Sequence, residues 1–213
     1  MNSRSILLAT ICTTATLATA LGEKAADLKP QLIKPGAVLV EESFGGPALG
    51  AEWTVAKGDW QPRDGALVVR EKKEDKHPAV LGFGKPHRDS ALRCAFKFDG
   101  AKMLGLSLNS VKGGHLFRVT FTPQGVSLNK DKDKKDPQSK GVVLAKADGN
   151  FADGKWHTVL LEMKGAEVVV QTDGGVTLKG SDPALDVEKT GYRLVMSGES
   201  LLVDDVKVWA SAP

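Results

Sequence analysis

Four histidines and a set of polar positions on strand-like segments are the residues of this sequence that could do chemistry. Histidine titrates near neutrality and can serve as a general base. His77 precedes Pro78 at a strand entrance, and His87 follows Pro86 in a loop. His115 opens a strand after Gly113-Gly114, and His157 follows Trp156. None of the four has the short spacing of a metal-binding pair. His77 and His115 lead, because both sit at strand ends, where loops build sites. A retaining glycosidase needs two carboxylates about 5 Å apart. On a strand, alternating acids give that spacing, and no such run occurs here. Glu71 and Glu74 lie among Lys72, Lys73 and Lys76 and read as a loop. No catalytic pair is assigned.

A polar sheet face is the better lead. Leu92, Cys94, Phe96, Leu104, Leu106, Leu108, Phe117, Val119 and Phe121 claim a core side by alternation. The residues between them must face outward: Arg93 and Lys97, Ser107 and Asn109, Arg118 and Thr120, with Gln171 on a later strand. If the strands adjoin, Arg93, Ser107, Asn109 and Arg118 form one carbohydrate-binding face, with His77 and His115 near its rim. Such groups bond sugar hydroxyls, and an aromatic ring stacks on the sugar's C–H side. Trp60, beside Asp59 and before Pro62, is the expected exposed tryptophan. The plain alternative is that every antiparallel sheet shows a polar face to water.

In the elements that carry these residues the dominant hydrophobic period is two, and no helical period stands out. About a dozen short strands follow one another, separated by Asp-Gly and Gly-Gly turns such as Asp64-Gly65, Asp99-Gly100 and Gly113-Gly114. This spacing argues a sandwich or barrel. The run Lys130–Lys140 alternates lysine with aspartate and reads as a solvated loop with no part in a site. Its aspartates lack the glycine and late glutamate of a calcium loop.

The chain opens with Arg4, an apolar stretch from Ile6, and small residues at Ala18 and Ala20. This is the layout of a cleavable export signal over residues 1–20. Residues 21–36 read as a linker and residues 37–213 as one β-sandwich domain. Secretion, or residence in the periplasm or cell envelope, is the expected location. No later stretch approaches the roughly 20 apolar residues of a membrane span. The chain carries 29 basic and 26 acidic residues. So small an excess gives no argument for nucleic acid. Of the two cysteines, Cys12 falls inside the signal, which leaves Cys94 without an intramolecular partner. The domain must then be held by its hydrophobic core.

Several segments carry a family resemblance. Trp53–Val69 contains the order Trp60…Asp64-Gly65…Leu67. Asp89–Phe98 supplies an alternating strand, Asp153–Gly165 a Gly-x-Trp strand, and Leu202–Trp209 a closing strand. In this order they resemble the 3-keto-disaccharide hydrolase-like domain family. The resemblance implies an all-β fold, a concanavalin A-like jelly-roll sandwich of two antiparallel sheets, laminin-G-like in kind. It implies hydrolysis of keto-disaccharides or related glycosides, which stands beside a second reading, a binding module without catalysis. Where the family pattern has an arginine at the end of one strand, this chain has Asn109. Sandwiches of this class often hold one calcium near the closing strand, and Asp204 and Asp205 are the residues that would supply oxygen. No other cofactor is implied.

Overall fold

The computed structural model describes residues 28–213. The segment 1–20 expected to be an export signal, with Cys12, lies outside the described residues. Thirteen strands occur among them: β1 (Pro35–Glu42), β2 (Trp53–Lys57), β3 (Asp59–Arg63), β4 (Ala66–Arg70), β5 (Ala79–Phe83), β6 (Ser90–Ser110) and β7 (His115–Thr122) come first. They are followed by β8 (Gly125–Lys130), β9 (Val142–Asp148), β10 (His157–Lys164), β11 (Glu167–Thr172), β12 (Thr177–Ser181) and β13 (Lys189–Ser211).

Two long strands set the architecture. β6 and β13 pair antiparallel along almost their whole length. Their outer neighbours change halfway. Residues 90–96 of β6 pair with β10, whereas residues 104–109 pair with β7. β13 takes β5 beside residues 193–196, β4 beside 201–203 and β1 beyond that. Each long strand therefore passes from one layer of the sandwich into the other. The first layer runs β12-β11-β10-β6-β13-β4-β3, with β1 also on β13, and the second runs β9-β8-β7-β6-β13-β5-β2.

The sequence suggested a hairpin turn at Asp99-Gly100, between two separate strands. The segment is instead the corner of one bent strand. Gly100 has φ +82°, and Gly198 on the partner strand has φ +108°. A Cβ on Gly198 would lie 2.5 Å from the Lys102 nitrogen, so only glycine fits there.

The expected alternation holds on both sides of this corner. Leu92, Cys94 and Phe96 from one layer, and Leu106, Val119 and Phe121 from the other, are fully buried. Phe96 meets Phe121 across the sandwich at 4.9 Å between ring centroids. Burial pushes the Cys94 thiol up to about 12, so it is a small apolar core residue and not a nucleophile. Trp60, expected at the surface, is in the core at 4% exposure. It faces the interior opposite Val69, and its Nε1 donates to the Lys57 carbonyl at 2.8 Å.

Residues 28–34, within the segment expected as a linker, lie along the outer face of the first layer. Glu162 is completely buried there, and its carboxylate accepts the backbone N–H groups of Gln31, Leu32 and Ile33 at 2.8 to 3.0 Å. Gln171 Nε2 donates to the Lys29 carbonyl, and Gln171 Oε1 accepts from Gln31 Nε2. Leu32 and Ile33 pack with Ala91, Leu160 and Trp209. A buried carboxylate is tolerated only when it is bonded, and this strap supplies the donors.

Candidate functional site

The outer face of the second layer is open and forms a groove of about 990 Å³. Register builds its floor. Asn129 on β8 lies opposite Arg118 on β7, Arg118 opposite Ser107 on β6, and Ser107 opposite Arg193 on β13. A second row one step away runs Ser127, Thr120, Gly105, Val195. Glycines shape the floor at two points. Arg193 lies over Gly82, where a Cβ would come within 3.3 Å of its stem. Gly105 leaves the middle of the second row without a side chain.

The charged segment after β8 forms a wall of this groove through Asp131, Lys132 and Lys134. This corrects the expectation that the segment stands apart from any site. Asp131 Oδ1 lies 2.7 Å from Arg118 Nη2. Lys130 Nζ donates to the Lys140 carbonyl, and Lys135 Nζ to the Lys112 carbonyl. The first bond closes the base of the loop, and the second ties its middle to the turn between β6 and β7.

His77 and His115 also line the groove. His77 Nδ1 donates to the Pro78 carbonyl at 2.8 Å. Asn109 stands between His115 and Arg193. With the amide oriented to satisfy both neighbours, its nitrogen donates to His115 Nδ1 at 3.1 Å. Its oxygen then accepts from Arg193 Nη1 and Nη2 at 3.1 and 3.3 Å. The guanidinium beside Asn109 is thus supplied by Arg193 of the neighbouring strand β13.

Of the residues expected to share one face, Ser107, Arg118, His77 and His115 do meet, with Asn109 behind Arg193. Arg93 does not join them. It pairs with Leu160 and Lys207 on the first layer, and its Nη2 lies 2.6 and 2.8 Å from the two Asp205 oxygens. Gln171 is on that same layer, under the strap. Trp60 belongs to the core, and no tryptophan lines the groove. His87 is buried, stacks on Tyr192, and burial holds its pKa below the ordinary value. His157 is buried beside Asp153, at 3.0 Å. Arg193 is the residue that sequence reasoning missed. The signal was there, because Leu194 and Met196 face inward and Arg193 must face out.

Asp204 and Asp205 do not suit a calcium ion. Asp205 is engaged by the Arg93 guanidinium, and Asp204 accepts the Asp205 N–H at 2.6 Å. Desolvation raises the Asp204 pKa from its ordinary value. Among the described residues, no three acidic, histidine or cysteine side chains are grouped to hold a metal.

The fold is shared with proteins that handle polysaccharides. A carbohydrate-binding module from Bacillus subtilis superposes with a TM-score of 0.58 at 12% identity, over 75% of this chain and 96% of that one. Porphyranase B from Zobellia galactanivorans gives 0.62 at 12% identity, over 81% and 91%. A laminarinase from Flavobacterium sp. UMI-01 gives 0.59 at 14% identity, over 81% and 100%. No curated protein matches by sequence. The family's sequence pattern matches residues 40–202, from within β1 to the middle of β13, and by it the chain belongs to the 3-keto-alpha-glucoside-1,2-lyase-like domain family.

Proposed function

We propose that this protein is an exported β-sandwich that binds a carbohydrate in the groove of its second layer. The row Asn129, Arg118, Ser107 and Arg193 carries the reading. It sets hydrogen-bonding side chains side by side on an open concave face, at the spacing of adjacent strands. Sugar hydroxyls need such donors and acceptors held in place beforehand. Asp131 is the one carboxylate among the described lining residues, and it is committed to Arg118. This argues against a retaining mechanism with paired acids. A glycan array followed by calorimetry tests the reading. Binding weakened about tenfold in Arg193→Ala supports it, and binding unchanged in Arg193→Ala contradicts it. Export is tested by mass spectrometry of the mature chain, which should begin at or near Leu21.

The histidine geometry favours a second reading, catalysis on a keto-sugar. The family's description names a 1,2-lyase of 3-keto-glucosides. In such a sugar the C3 ketone acidifies the C2 proton. Because His77 Nδ1–H is given to a carbonyl, the Nε2 of the neutral ring keeps its lone pair and can take that proton. The C–H electrons then form the C1–C2 double bond as the C1–oxygen bond breaks. His115, accepting from Asn109 at Nδ1, carries its proton on Nε2 and can give it to the departing oxygen. Arg193 would face the enolate charge. Turnover of a 3-keto-glucoside should release an ultraviolet-absorbing enone, and His77→Gln should abolish turnover while leaving binding intact. Binding without turnover in the wild type would leave the first reading alone.

A further inference from the structure

The groove is charged to one side, and we propose that its ligand is an anionic glycan, a sugar chain carrying carboxylate or sulfate groups. This rests on the reading that the groove holds a carbohydrate, and it adds which kind. Arg118, Arg193, Lys132 and Lys134 line the groove against a single carboxylate, Asp131, among the described lining residues. Asp131 is committed to Arg118 at 2.7 Å. Arg193 has only a neutral partner, the Asn109 oxygen. Lys132 and Lys134 have no hydrogen bond or ion pair among the described residues. Three cations therefore converge on the groove with no acid to neutralise them.

A neutral sugar would leave those charges balanced by water alone. An anionic sugar pairs them. The planar guanidinium of Arg193 suits the geometry of a carboxylate or sulfate, and a neutral amide beside it fixes its position without consuming its charge. A concave site lined by one sign of charge also raises the local concentration of the opposite ion. The clustering is local, since the whole chain carries a formal net charge of only +3. The imbalance thus belongs to the groove and not to the surface at large.

The test is calorimetry with oligogalacturonate, a sulfated galactan oligosaccharide and a neutral cello-oligosaccharide of matched length, with polyglutamate as an anion that is not a sugar. One of the two acidic sugars should bind at least about tenfold more tightly than the neutral one, and added salt should erode that advantage. Whichever of the two wins identifies the anion. Arg193→Gln should remove most of the preference, and Lys132→Gln combined with Lys134→Gln should remove part of it. All three positions are at the surface, and thermal unfolding confirms that each variant is folded. Equal binding of neutral and acidic sugars overturns the proposal and leaves the carbohydrate reading standing. Equal binding of polyglutamate overturns it in favour of a general polyanion surface. Failure to bind any sugar overturns both.

Discussion

The two outer faces of this sandwich are made by the same rule and end in opposite states. On the first layer, Glu162, Gln171 and Leu160 face outward and are then covered by residues 28–34. On the second layer, Asn129, Arg118, Ser107 and Arg193 face outward and stay open. Both faces are polar at intervals. What separates them is whether a segment of chain arrives to satisfy the polar groups. A carboxylate bonded by three backbone N–H groups is a structural device, whereas a guanidinium held by a neutral amide is still available to a ligand. Polarity of a sheet face is thus a poor guide to function until its partners are known.

The largest effect expected on this contrast is at Glu162. Glu162→Ala leaves three backbone donors without an acceptor under the strap, and should lower the unfolding free energy by about 3 kcal/mol. Urea unfolding measures the loss, and hydrogen exchange at residues 31–33 should rise with it. Sugar binding, on the other layer, should be unchanged in the folded fraction. If the groove loses its ligand too, the two faces are not independent.

The interior between the faces gives the next effect. Cys94→Ser puts a hydroxyl in a fully buried apolar site and should cost about 1 to 3 kcal/mol. The thiol also links stability to pH. Burial raises its pKa from 9.0 to about 12, so the unfolded chain ionises first. The stability it contributes is complete below pH 9 and is lost as pH rises through 12. Cys94→Ala should therefore show a shallower alkaline loss of stability than the wild type. Parallel curves would show that the thiol is not shielded.

Smaller changes distinguish the residues of the open face. Arg193→Ala should weaken sugar binding about tenfold, or about 1.4 kcal/mol. Arg118→Ala should weaken it less, because Asp131 already holds that guanidinium. The smallest effect is expected at Arg93, on the other layer. Arg93→Ala breaks a partly exposed pair with Asp205 and should cost about 1 kcal/mol or less, with binding unchanged. A loss of binding in Arg93→Ala would place the site on the wrong layer.

These contrasts also mark what the sequence could and could not reveal. Alternation alone sorts Leu106 from Ser107 and Val119 from Arg118, because side chains in a strand must point to opposite faces. It cannot say that β6 bends at Asp99-Gly100 into a second layer, since a hairpin turn and a sheet corner both call for a glycine at positive φ. Arg93 and Ser107 share parity on one strand yet face opposite sides of the molecule for that reason. Arg193 was legible as an outward residue, but its neighbour Ser107 lies 86 residues earlier by number, and only register joins them. The polar neighbours of Trp60 point to the surface, although its own strand position opposite Val69 turns it inward. The strap has no period to read, because a buried side chain and not a strand ladder takes its N–H groups.

A sugar bound in the groove lies across the row Asn129, Arg118, Ser107 and Arg193 in the proposed reading. Backbone and arginine side-chain NMR shifts, followed while a binding oligosaccharide is titrated in, test it most directly. The shifts should concentrate on β6 from Gly105 to Asn109, on β7 and β8, and on the guanidinium signal of Arg193. Shifts gathered instead on Arg93, Lys207 and residues 28–34, with the Arg193 signal unmoved, would contradict it.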